Sequence, residues 1–185
     1  MKIYLDAGHN PTNPNAGAEG NGYREQDLVY EIARQTAVIL RQNGLEVRLS
    51  RPTPQTQLGT SNASSLAARV NDANAWGADY FISLHTNASN ITSASGSEAF
   101  VYTEASRAYP LAQNILTQLN AATGLPNRGV SVRTNLYVLR RTRMPATLVE
   151  LGFISNPADA DLMANQPQLF ARGVANGVLA YLGEL

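Results

Sequence analysis

The stretch that most constrains the fold is DYFISLHTN, residues 79–87. Its core is β-favouring and apolar on both alternating faces. That is the pattern of a strand covered on both sides, which belongs in a mostly parallel sheet flanked by helices. Tyr80, Ile82 and Leu84 project one way, and Phe81, Ser83 and His85 the other. The chain opens with a second run of this kind, IYLDAGHN at 3–10. It is mostly apolar from Ile3 to Ala7, is broken by Gly8, and places His9 at its C-terminal exit.

Strands are expected at about 2–8, 45–50, 79–87, 97–103, 136–142 and 146–153. Helices are expected at about 24–43, 65–77, 104–122, 157–164 and 167–182. Leu28, Val29, Ile32, Ile39 and Leu40 share one side of the first helix. Gly44, Gly77 and Gly124 stand where helices should stop. Ser155 or Asn156 is placed to cap the fifth helix, with Pro157 at its first position. This alternation predicts an α/β fold with a mostly parallel central sheet. No repeat or long linker divides the 185 residues, so a single catalytic domain over 1–185 is expected. The polar, two-proline stretch 51–65 reads as a surface loop beside a binding groove. Ligands of such sheets sit outside the C-terminal strand ends.

Fourteen basic and fourteen acidic residues give a formal charge of zero. There is thus no basic footprint for nucleic acid and no Lys/Arg run for an anionic membrane surface. No apolar run reaches the ~18 residues of a spanning helix. Met1 and Lys2 lead directly into the first strand without a signal-peptide pattern. Either export does not use that route, or the signal lies outside this chain. There are no cysteines, so a metal site must draw on His, Asp and Glu. The two histidines, His9 and His85, both fall at the C-terminal edge of what should be one sheet. The plain alternative is a pair of unrelated capping histidines.

Two carboxylates stand out. Glu25 heads the apolar stripe of the first helix (Glu25, Leu28, Val29, Ile32), where an unpaired charge is costly. It is equally readable as the partner of a Gly22 N-cap. Glu150 interrupts the apolar strand ATLVELGF. Desolvation there should raise its pKa, which suits a general base and acid near neutral pH; an ion pair with Arg140 or Arg141 is the alternative. Two imidazoles and a carboxylate form the open three-ligand set of a catalytic zinc site, and a further carboxylate beside it makes a metal-assisted hydrolase. Ser83 has no third partner for a nucleophile triad.

The segments DAGHN, REQDL, ADYFISLHTNAS, GSE, RGVSVRTNLYVLRRT and PATLVELGFISN occur together, in this order. As a set, from Ile3 to about Leu182, they resemble the zinc-dependent N-acetylmuramoyl-L-alanine amidases of the amidase type 3 family. The resemblance implies a twisted, mostly parallel six-stranded sheet flanked by five to six helices. It implies one zinc ion held by His9, Glu25 and His85, with Glu150 as the catalytic carboxylate. Glu19, in the unusually Asn-rich and proline-containing loop before Glu25, is a rival ligand ranked below Glu25. The implied substrate is bacterial peptidoglycan, cut between N-acetylmuramic acid and the L-alanine of the stem peptide. Action at the cell wall, as autolysin or endolysin, follows. Asn87, Arg133, Asn135 and Arg140 lie in matching segments and are candidate substrate contacts. The chain is expected to be a monomer that binds neither nucleic acid nor membrane. Only GLPNRGV separates the 104–122 helix from the next segment, leaving no room for the inhibitory helix some family members carry, so the site should be open without an activator. A non-catalytic wall-binding module and a zinc carboxypeptidase on short peptides are the rival readings.

Overall fold

The computed structural model describes residues 1–183. In chain order its elements are β1 (Lys2–Ala7), β2 (Glu19–Gly20), β3 (Tyr23–Arg24), α1 (Glu25–Gln42), β4 (Glu46–Leu49), α2 (Asn62–Trp76) and β5 (Tyr80–Asn87). They continue as β6 (Ser97–Val101), α3 (Ala108–Thr123), β7 (Asn127–Val132), α4 (Tyr137–Arg141), β8 (Ala146–Phe153), α5 (Pro157–Asn165) and α6 (Pro167–Leu182). Six strands form one sheet in the order β4-β1-β5-β8-β6-β7. The first four are mutually parallel. β6 runs antiparallel to β8 and parallel to β7. β2 and β3 form a small antiparallel hairpin of their own.

The sheet is covered on both faces, as the central strands predict. Ile3, Leu5, Ile82, Leu84 and Val149 pack with α1, α3 and α6. The alternate residues Tyr4, Phe81, Phe100 and Leu148 pack with α2 and α4. Tyr4 and Phe81 stack across neighbouring strands with ring centroids 5.4 Å apart. α3 and α6 approach until backbone meets backbone. A Cβ added to Gly173 would lie 2.5 Å from Leu119 Cα, and one on Gly177 would press still closer on Ile115 Cα.

Several local expectations change. Residues 136–142 are not a strand: Leu136 is extended and 137–141 form the short helix α4. Val138 and Leu139 are both buried, which consecutive residues of a one-sided strand cannot be. A strand at 127–132 instead completes the sheet. It is an edge strand with no buried residue, so it carries no hydrophobic period to read. α2 starts at Asn62, inside the expected loop, because Ser61 and Ser64 cap it reciprocally: Ser61 Oγ accepts from Ser64 N (3.1 Å), and Ser64 Oγ accepts from Ser61 N (2.9 Å). The fifth helix is capped by Asn156 with Pro157 at its first turn, as expected. Among the described residues no helix is long and apolar enough to cross a membrane.

The α3–α6 contact yields a stability test. Gly177→Ala gains helix propensity of about 1 kcal/mol but forces the two backbones apart at a cost of roughly 1–3 kcal/mol. The clash is with backbone and not with a flexible side chain, so the net effect should be a lower urea midpoint. An unchanged or higher midpoint would contradict the close approach.

Candidate metal centre

The parallel register Leu5↔Ile82, Asp6↔Ser83, Ala7↔Leu84 brings the ends of β1 and β5 side by side. Gly8 N–H continues the pairing to Leu84 O at 3.0 Å. A Cβ on Gly8 would lie 2.5 Å from His85 Cε1, so only glycine lets the imidazole rest against the chain here. The next residue, His9, turns left-handed at φ 63°. The two rings then meet edge to face, with centroids 4.8 Å apart.

Glu25 comes to the same point from α1. The hairpin β2–β3 turns at Asn21 (φ 51°) and Gly22 (φ 81°), the Asn-Gly pairing that tight hairpins favour. Asn21 Nδ2 donates to Ile154 O (2.8 Å), which pins the hairpin beyond the end of β8. The alternative reading of Glu25 as partner of a Gly22 cap does not hold: Gly22 serves the hairpin turn, and α1 begins at Glu25 behind Arg24, whose side chain makes no capping bond. The Glu25 carboxylate points inward with its side chain only 4% exposed. Oε2 accepts from Ala18 N (3.0 Å) and Oε1 from Thr86 N (2.9 Å). The same Oε1 lies 3.2 Å from His9 Nε2 and 3.1 Å from His85 Nδ1. Buried Arg51 fixes the adjoining turn by donating to Gln26 O at 2.6 Å.

One ligand atom from each of His9, Glu25 and His85 lies within 4.8 Å of the other two. His9 Nδ1 is buried without a partner, which leaves Nε2 as the nitrogen turned toward the group. Burial would raise the Glu25 pKa, but the hydrogen bonds and charge of His85 and His9 hold it well below the usual carboxylate range. For His85, burial lowers the pKa and the bond and charge of Glu25 raise it further, so the net direction is upward. An ionised carboxylate facing two imidazole nitrogens fits a divalent cation. Glu19 does not join them: its side chain is 70% exposed and faces Arg24. Ser83 is not a nucleophile here, since it donates to buried Asp6 at 2.7 Å.

Glu150 pairs in register with His85 on one side and with Glu98 on the other. Its Oε2 is buried without a hydrogen-bond partner. Burial pushes its pKa up to about 7; the charge of His85 pulls it back, and those of Glu25 and Glu98 add to the rise. The alternative ion pair is not formed. Arg140 and Arg141 are exposed on α4 and make no salt bridge among the described residues.

The remaining candidates are more scattered. Asn87 Nδ2 donates to Glu98 Oε1 at 2.5 Å, beside the Glu150 strand. Arg133 lies over the Phe100 ring at 5.0 Å, and Asn135 is exposed. Arg140 lines a surface groove with Tyr102 and Arg143. What this segment brings to the centre is apolar. Leu136 and Val138, with Leu66 and Leu148, wall a cavity of about 130 Å³ against both imidazoles. Helix α4, where a strand is expected, is what turns Val138 inward.

The family model for N-acetylmuramoyl-L-alanine amidase, amidase type 3, matches residues 3–180. The sporulation-specific N-acetylmuramoyl-L-alanine amidase of Bacillus subtilis (strain 168) is 36% identical over 183 residues, covering 96% of this chain and 67% of that protein. Among solved structures, the catalytic domain of CwlV, an N-acetylmuramoyl-L-alanine amidase from Bacillus (Paenibacillus) polymyxa, superposes with a TM-score of 0.86 at 32% identity, covering 100% of this chain and 99% of that one. An N-acetylmuramoyl-L-alanine amidase from Clostridium difficile 630 superposes with a TM-score of 0.87 at 30% identity, over 99% and 97% of the two chains. With the match running through β1, α1, β5 and β8, the elements that carry His9, Glu25, His85 and Glu150, the chain belongs to the N-acetylmuramoyl-L-alanine amidase family.

Proposed function

We propose that this chain is a zinc-dependent peptidoglycan hydrolase that cuts the amide between the lactyl group of N-acetylmuramic acid and the L-alanine of the stem peptide. The observation that carries the reading is the meeting of His9, Glu25 and His85 beside Glu150, whose Oε2 is buried without a partner. Two imidazoles and a carboxylate, with no thiolate, match the protein share of an open zinc site. Zinc held by these three residues would supply Lewis acidity toward the scissile carbonyl and the attacking water.

The chain's own groups do the rest. The Glu25 bonds to Ala18 N and Thr86 N keep its carboxylate aimed at the two imidazoles. Glu150 takes a proton from the attacking water as oxygen bonds to the carbonyl carbon. It then returns that proton to the alanine nitrogen as the C–N bond breaks. The products are a lactyl carboxylic acid and a free L-alanine amine. A carboxylate with a pKa near 7 is matched to both transfers. Asn87, beside Glu98, is assigned to orient the substrate carbonyl. Arg140 on the outer groove, and the exposed Arg133 and Asn135 outside it, are assigned to stem-peptide carboxylates. The site of action is the cell wall, the working unit is one chain, and one catalytic domain spans 1–185. α3 leads to β7 through residues 124–126 alone, so among the described residues no helix is inserted between them.

Digestion of purified sacculi with no added protein tests the reaction. New L-alanine amino termini, intact stem peptides and no new reducing sugar ends are expected. Free amino acids from the far end of the peptide would instead identify a carboxypeptidase, and no release at all a binding module. Glu150→Gln should lower turnover roughly 10²–10⁴-fold while metal analysis still finds one zinc per chain; full activity, or loss of the metal, contradicts the role. The same variant has a thermodynamic signature in chelator-treated protein. The Glu150 pKa rises on folding from 4.5 to about 7. Its contribution to stability is therefore complete below about 4.5 and is lost as pH rises through 7. Glu150→Gln should thus stabilise the fold at pH 8 by about 3 kcal/mol, read as a higher melting temperature there, and change it little near pH 5. Equal shifts at the two pH values would contradict the buried, unpaired carboxylate.

A further inference from the structure

Asp6 and Arg69 form a buried ion pair that the proposed reaction does not use. Both are 1% exposed. Arg69 rises from α2, and its Nη1 reaches Asp6 Oδ1 at 2.5 Å and Ala7 O at 2.7 Å. Its Nη2 donates to His9 O at 2.5 Å. Asp6 also accepts from Ser83 Oγ at 2.7 Å, two residues before His85. One guanidinium thus grips both carbonyls flanking Gly8, and its counter-ion is tied to the strand that carries the second imidazole. The grip falls where the backbone needs it. His9 is a non-glycine residue at φ 63°, a conformation that L-residues adopt only when their surroundings impose it. Relaxation to the extended region would rotate the imidazole, and Nε2 would lose its 3.2 Å approach to Glu25.

We propose that Arg69 is a positioning residue of the metal centre: by holding the Ala7 and His9 carbonyls together it fixes the left-handed turn that aims His9 at Glu25 and His85. This rests on the zinc reading above. The planar fork is what the task requires, since it satisfies Asp6 and two carbonyls at once. A lysine ammonium keeps the charge but cannot span all three acceptors. A role limited to core stability would lower the melting temperature and leave the metal site of the folded protein unchanged.

The test measures zinc affinity by competition with a chelator, well below the melting temperature of each metal-free protein. It compares wild type, Arg69→Lys, the charge-balanced Asp6→Asn/Arg69→Met pair, and Val70→Ala as a core control on the same helix. Val70→Ala should lower the melting temperature and keep wild-type affinity. The double variant should lose affinity 10–100-fold while folded, the loss typical of outer partners of metal ligands, and Arg69→Lys should fall between. Folded Arg69 variants with wild-type affinity overturn the proposal. So does failure of every Arg69 variant to fold, since Arg69 would then be a core residue only. If wild type itself binds no zinc, it is the metal reading that fails.

Discussion

The centre depends on the register of three parallel strands. β1, β5 and β8 lie side by side with their C-terminal ends at one edge, and the pairings Ala7↔Leu84 and His85↔Glu150 place the chemistry there. Side chains alternate with a period of two, so a one-residue slip of β8 against β5 would turn Glu150 to the opposite face. The register is held from both sides. Ile82, Leu84 and Val149 are locked into the α1/α3/α6 core, while Tyr4 stacks on Phe81 beneath α2. The Ser83–Asp6 hydrogen bond ties β5 to β1 one step before the imidazoles. A two-sided core thus carries a polar cluster at its rim without being opened by it.

Environment then separates two chemically similar acids. Glu25 is buried but receives two backbone N–H bonds and faces two imidazoles, so it stays ionised. Glu150 stands between His85 and Glu98 on an otherwise apolar strand, with its Oε2 buried and unsatisfied, so its proton is held until near neutrality. A permanently charged carboxylate is suited to hold a cation, and one that titrates near 7 to carry a proton. Pairs of acids driven apart in this way reveal their division of labour.

The sequence discloses the parts of this arrangement that rest on local pattern. The apolar runs around Ile3 and Ile82 announce strands covered on both faces, and their exits put His9 and His85 on one edge. Asn156 and Pro157 announce a helix start, and Gly77 and Gly124 sit left-handed at helix ends. Features that rest on tertiary context are silent. β7 is an exposed edge strand without an apolar period, and it exists because β6 offers it hydrogen bonds. The run 136–142 has the composition of a strand, but packing under α2 coils it into α4. The Asn21–Gly22 hairpin had a legible turn signal, obscured by strands of two residues each. Arg69 looks like any helix-surface arginine in SLAARVNDANAW; only the fold shows it buried against the ends of β1.

Where the cation binds decides whether His9, Glu25 and His85 form the metal centre. Crystals grown with zinc and measured on both sides of the zinc absorption edge locate it directly. One anomalous peak per chain is predicted, about 2 Å from a nitrogen of His9, a nitrogen of His85 and an oxygen of Glu25, with Glu150 nearby but not coordinating. A peak elsewhere, or one with Glu150 as ligand in place of Glu25, would contradict it.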